Sequence, residues 1–520
     1  MRRLPRSSCE ALALHRRELL LGSLSASLVA LTGTSLLAPR ARASAAAFTD
    51  ETVPSLARRL AEAPYAIPAT DLPAWLASIN YDEYRDIRFN PSQALWRREG
   101  LPFQAQYFHR GFLFKDRVQL FTVAGGQARQ VDYSPDLFNF RAAALRGRNA
   151  RDLGFAGMRL HAAINGPDYF DEITAFLGAS YFRAVAKGQS YGVSARGLAI
   201  NTVQPAGEEF PVFRSFWMEQ PAPGATRIVV HALMDSASVA GAFRFSIEPG
   251  IETVFDVQSR LYPRVELRHA GIAPLTSMYQ FGASDRVGVD DYRPAVHDSD
   301  GLALMTGAGE QIWRPLHNPA LVQDSGFEDN APRAFGLMQR QREFSDYADS
   351  EAHYEKRPSV WVEPVGDWGK GAVHLIELPT PDEYHDNIVA FWRPAAPLSA
   401  GTEHRFDYRL HWCNEHSWAP GLATVVDTMI GAAADNRRRV IIDFKGGVLE
   451  GLGSEAGVTA DTWSNIGVIS NVVAHPVDAT GGWRIGFELD PAGAQAVELH
   501  VRLVQGKQAV SETWLYRWTA

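Results

Sequence analysis

The chain is 520 residues long, 46% hydrophobic and 21% charged, with 30 Pro, 43 Gly, 13 Trp, 2 Cys and a formal net charge of -8. Apolar content near the globular average excludes a disordered or coiled-coil protein, and the length accommodates two sizeable units. The acidic balance argues against a nucleic-acid binder, because neutralising a phosphate backbone takes clustered Lys and Arg.

In chain order the first feature is a leader. Arg16 and Arg17 precede an uncharged apolar stretch, Leu19 to Ala38, followed by Arg40, Arg42 and the run Ala43-Ser44-Ala45-Ala46-Ala47. Basic region, apolar region and small-residue exit stand in the order of a cleavable export signal. The twin arginine resembles the Tat pattern, with His15 where Ser or Thr is usual. A single membrane anchor is the alternative, but the Ser, Thr and Gly content and the Ala-rich exit favour cleavage of residues 1–47. That leader holds seven Arg and two Glu, a net of +5, which leaves -13 on the remainder. Cys9 departs with it, so Cys413 has no intramolecular disulfide partner and stability must come from the core.

Helical spacing is expected at 52–62, at 72–79 and at 168–177, where Phe170, Ile173 and Phe176 share a face. Most of the rest consists of short Val, Ile, Phe, Tyr and Thr runs broken by Gly, Pro and Asp, as at 225–236, 241–250, 253–262 and 371–380. Many such strands over more than 300 residues predict an all-β chain with a large β-sandwich. A turn-rich run, RPAAPLSAGTEH, starts at Arg393 and leads into a strand with Phe406, Tyr408, Leu410 and Trp412 on one side. Alternation recurs from Val497 to Leu503 and from Trp514 to Trp518. These features predict a large domain over 48–395 and a small antiparallel sandwich of immunoglobulin-like size over 396–520.

Three polar regions are candidates for chemistry. Phe281 to Gly301 holds Asp285, Asp290, Asp291, Asp298 and Asp300 among Arg286, Arg293 and His297, and is a solvated loop or a site. Asp298-Ser299-Asp300-Gly301 fails the calcium-loop pattern, since Leu302 takes the third ligand slot and Gly arrives early. No metal or cofactor is expected. Glu377 to Asn387 combines two Pro, four carboxylates and His385 before the apolar run IVAFW, as a loop pinned to a sheet or an acidic turn would. Phe344 to Trp368 adds Tyr347, Tyr354, Arg357, Trp361 and Trp368, where aromatic faces could stack on sugar rings and charged groups bond their hydroxyls. More than half of the Trp belong to packing. There is no P-loop, GxGxxG, HExxH or GxSxG motif.

The segments YFRAVAKGQSYGVSARGLAI (181–200), EEFPVFRSFW (208–217), GIAPLTSMYQFG (271–282), DDYRPAVHDSDGL (290–302), RPSVWVEPVGDWGKG (357–371) and DNIVAFWRP (386–394) carry a specific likeness. The chain closely resembles the periplasmic glucans biosynthesis proteins of the OpgG/OpgD family, and the leader points to the D branch. The resemblance implies a galactose-mutarotase-like sandwich followed by an immunoglobulin-like one, a periplasmic location, export by the Tat translocase and β-1,2-glucan as partner. It further implies an anomer-inverting endo-β-1,2-glucanase with Asp386 as general acid and a general base in the HDSDG motif, Asp298 ahead of Asp300. Tyr354 and Arg357 would complete the site from a long loop, and Arg293, His297, Trp361 and Trp368 are expected to contact substrate. The residues around Tyr384 and His385 depart from the family's smaller polar ones. On this scheme Asp386 needs a raised pKa from burial while Asp298 stays ionised. The competing function is a non-catalytic glucan-binding or assembly factor, for which an aromatic cleft suffices. A homodimer is left open.

Overall fold

Alternating apolar and polar residues become two large facing sheets in the structure, a computed structural model that describes residues 46–68, 71–141, 152–414 and 421–520. The export-signal reading of 1–47 lies outside these residues except at its last two positions. Among the described residues no helix is long and apolar enough to cross a membrane.

The larger sheet has sixteen strands. Its middle runs Ile228–Asp235, Val239–Glu248, Thr253–Pro263, His404–Cys413, Ser359–Val365, Ala334–Met338, Gly301–Met305 and Gln311–Pro315. The facing sheet has ten strands, with Gln323–Asn330 at one edge, then Lys370–Glu377, Ile388–Pro394 and Ala270–Ser277, and Phe103–His109 at the other edge. Their inner faces meet in one core, where Phe255 lies 4.8 Å from Trp412 and Phe182 5.1 Å from Phe245 between ring centroids. Each such aromatic pair adds roughly 0.5–1.5 kcal/mol beyond the area it buries. The all-β sandwich expectation holds.

Thr52–Glu62 is helical as expected and lays Val53 and Ala57 on Trp217, Leu233 and Tyr262 of the large sheet. The expected 72–79 helix is one turn, Ala74–Ala77, entered at Pro73. The expected helix at 168–177 is instead a strand, Asp171–Leu177. It is buried on both faces from Ile173 to Phe176, so the polar alternation that marks a strand is missing there.

The expected boundary at 395 also needs correction. His404–Cys413 pairs with Thr253–Pro263 on one side and Ser359–Val365 on the other, and Phe406, Tyr408, Leu410 and Trp412 enter the first core. Turn residues before a strand mark a change of direction, not a change of sheet. The C-terminal sandwich has its own four-stranded sheet of Thr424–Ala432, Arg438–Lys445, Gly482–Asp490 and Val468–Val477. Its second layer is the end of the large sheet itself, strands Thr513–Thr519, Ala496–Gln505 and Val458–Ser464. The core between them takes Trp313 and Trp361 from the first unit and Ile442, Phe487, Val501 and Trp514 from the second.

Candidate active site

The three polar regions singled out in the sequence converge, and Arg293 is where they join. Its guanidinium donates to Asp291 Oδ2 at 2.9 Å, Asp349 Oδ2 at 2.8 Å and Glu383 Oε2 at 2.6 Å. One side chain thus ties the 282–296, 343–358 and 378–387 loops. The Tyr354 hydroxyl donates to the same Glu383 oxygen at 3.1 Å. Asp349 also accepts from the main-chain N–H groups of Glu351 and Ala352 at 2.9 and 2.8 Å, which shapes the turn before Tyr354. The Arg357 guanidinium sits 4.4 Å over the Tyr354 ring and donates to Asp298 Oδ1.

Asp298 is 5% exposed, and its N–H donates to Met278 O at 2.8 Å. Burial raises its pKa to about 6; Arg357 opposes the shift and the negative charge of Asp386 adds to it. Asp298 is therefore the carboxyl that burial makes hard to ionise, contrary to the expectation that it simply stays charged. Asp386 is half-buried at the end of its loop. Its neighbour Asn387 fixes it: the Asn387 amide accepts from Tyr279 N at 2.8 Å and donates to Tyr279 O and Leu378 O, both at 2.9 Å. Tyr279 stacks on His297 with centroids 5.2 Å apart, and His297 directly precedes Asp298. Both carboxylates therefore rest on one small platform, strands Tyr279–Phe281 and Val296–His297. Asn387 was missed in the sequence; its signal is a polar amide just before the apolar run Ile388 to Trp392.

Several expected substrate contacts do other work. His297 is buried between Tyr279 and Tyr347 and bonded to Gln339 at 2.9 Å; burial lowers its pKa to about 4, so it is a neutral part of the platform. Trp361 packs in the second core, and Trp368 packs in the first while donating to Asp407 O at 3.2 Å. Both stand on inward positions of strands or beside them, where an indole is worth more as packing. Arg293 spends its donors on carboxylates, and Tyr354 is buried as a support for Arg357. Tyr292 and Tyr384 lie most open on these loops, 79% and 81% exposed, and Phe344 is 50% exposed.

Asp300 makes contacts of its own, in a chamber that Tyr279 and His297 also line. Its Oδ2 accepts from Arg340 N at 3.0 Å, and it lines a chamber of about 40 Å³ with Trp313, Val425 and Asp427, against the C-terminal sandwich. Gly301 is required here, because a Cβ would stand 2.1 Å from the Trp313 ring. Burial raises the Asp300 pKa to about 6, against about 3.9 for an unfolded Asp. A raised carboxyl pKa contributes stability that is complete below about pH 4 and is lost as pH rises through about 6. Asp300→Asn is thus expected to stabilise the protein by about 1–3 kcal/mol at pH 7 and to lose that advantage below about pH 4, in urea unfolding at each pH.

Among the described residues, the group able to gather three metal-ligand atoms is Asp50, Glu219 and His231, within 4.8 Å of one another. It lies on other elements, beside the N-terminal helix, and His231 is already bonded to Glu219 at 2.7 Å.

The chain matches the family model described as "Periplasmic glucan biosynthesis protein, MdoG" over residues 48–518. The chain belongs to this family. It is 54% identical over 481 residues to the glucans biosynthesis protein G of Rhodopseudomonas palustris (strain ATCC BAA-98 / CGA009), covering 92% of this chain and 95% of the relative. It is 51% identical to glucans biosynthesis protein G of Bradyrhizobium diazoefficiens, over 97% of this chain and 100% of the relative. A third protein of that name, from Vibrio cholerae serotype O1 (strain ATCC 39541 / Classical Ogawa 395 / O395), is 51% identical over 91% of this chain and 87% of the relative. The family match spans both sandwiches and all three loops tied by Arg293. The relatives carry the G name, so the matches support the family without singling out its D branch.

Proposed function

We propose that this family member works in the periplasm as a D-type enzyme, an inverting endo-β-1,2-glucanase that sets the backbone length of periplasmic glucan. The supporting observation is the Asp298–Asp386 pair: two carboxyls on one platform, coupled by charge, with Arg357 on one of them. Asp386 protonates the glycosidic oxygen as the C–O bond breaks, and Asp298 removes the proton from the water that attacks the opposite face of the sugar. Tyr292 and Tyr384 offer open faces to the rings. The location and the Tat translocase as export partner rest on the leader pattern and the family description. The Arg357 bond to Asp298 favours a second reading, a glucan-binding factor whose carboxylate is held for hydrogen bonding and not for chemistry.

Proton NMR of linear β-1,2-glucan incubated with the purified protein separates the two. Hydrolysis with inversion yields new reducing ends that appear first as the α-anomer; unchanged chain length sinks the enzymatic proposal. As base, Asp298 must be ionised, so kcat/KM is expected to fall in acid, in a pH–rate profile on this substrate.

A further inference from the structure

The sixteen-stranded sheet is wider than the sheet it faces. Beyond Gln311–Pro315 its last strands overhang Gln323–Asn330, the edge strand of the ten-stranded sheet. Between overhang and edge lies a groove of about 710 Å³, within the range of about 300–1,000 Å³ usual for small-ligand sites. None of Asp298, Asp386, Arg293 or Arg357 lines it.

Strand register builds its floor. Trp463 pairs with His500 and His500 with Leu515, so the three stand side by side across three strands. The alternate residues Leu499, Val501 and Trp514 fill the second core, which turns this row outward. Trp463 is 56% exposed, an indole lying open in the groove.

The charges along the groove are matched. Asp461 pairs with Arg502 at 2.9 Å, Glu498 with Arg517 at 3.3 Å and Arg314 with Glu377 at 3.3 Å, and Asp324 is hydrogen-bonded to His374 at 2.6 Å. Paired charges give no field to select an ion, yet they leave donors and acceptors beside an aromatic face. That combination suits a neutral polyhydroxylated chain. An added peptide strand suits it less, because Gln323–Asn330 carries Asp324, Glu328 and Asp329, the charges by which edge strands resist pairing.

The geometry points to this groove as a second carbohydrate site, taking a neutral oligosaccharide independently of the carboxylate pair. The inference goes beyond the hydrolytic proposal and does not need it. The test uses the full chain as Asp386→Asn, so that no probe is consumed, and calorimetric titration with a linear β-1,2-gluco-oligosaccharide and with a cello-oligosaccharide. Two sites per chain are expected for at least one probe, and adding Trp463→Ala should weaken the second by about tenfold. Trp463→Phe should weaken it less, and circular dichroism checks that each variant is folded. Absence of any site weakened by Trp463→Ala, or tighter binding of an anionic oligogalacturonide in this groove, overturns the proposal. Failure of hydrolysis in the unsubstituted chain would leave these outcomes readable.

Discussion

Asp386→Asn is expected to lower turnover of linear β-1,2-glucan by about 10²–10⁴-fold, the usual contribution of a positioned general acid. Affinity should change little, because the side chain keeps its size and Asn387 still anchors the loop through Tyr279 and Leu378. A second effect has a definite sign. The charge of Asp386 is among the causes that raise the Asp298 pKa, so its removal should move the acid limb of the residual activity to lower pH. Reducing-end release and binding, measured side by side across pH, check both. Undiminished turnover in this variant would remove Asp386 from the chemistry.

Arg293→Ala should be the most destabilising change in the site. It leaves Asp291, Asp349 and Glu383 facing one another without their shared cation, and the Arg293 side chain is only 14% exposed. Removing one partner from such a cluster costs about 3 kcal/mol, since the remaining charges stay desolvated. Hydrogen bonding to Arg293 lowers the Asp291 pKa; for Asp349, burial raises it but backbone hydrogen bonds and Arg293 prevail and lower it. Depressed carboxyl pKa values contribute stability above about pH 4 that fades as pH falls through the folded values. The penalty should therefore be full at neutral pH and shrink in acid. Urea unfolding measures it, and faster amide exchange confined to the three loops would show that Arg293 acts as their tie. Equal stability of variant and parent would contradict that role.

Much of this was legible in the primary structure, for physical reasons. Strands with one wet face, such as His404–Cys413, announce themselves by alternation, and clustered carboxylates announce that something must hold them. Asp298, Asp386, Arg357 and Arg293 were named as candidates that way or through the family likeness. What failed depended on long-range partners. Asp171–Leu177 is buried on both faces and so lacks a period, and nothing local says that His404–Cys413 inserts between strands from 253 and 359. Trp361 and Trp368 carry the right chemistry for sugar, but burial assigns them to cores, while Tyr292 and Tyr384 lie open. Asp298 and Asp300 are two residues apart yet bond different partners, Arg357 and the Arg340 N–H, and the segment joining them is not a regular strand.

The insertion of His404–Cys413 also governs how this chain can be divided. A fragment ending at the apparent linker near 395 would lack the strand that bridges Thr253–Pro263 and Ser359–Val365, and its principal sheet would split into halves with raw, sticky borders. The C-terminal sandwich, for its part, borrows Trp313 and Trp361 from upstream. The two units thus share one sheet and one core, and a cut near 395 would divide both.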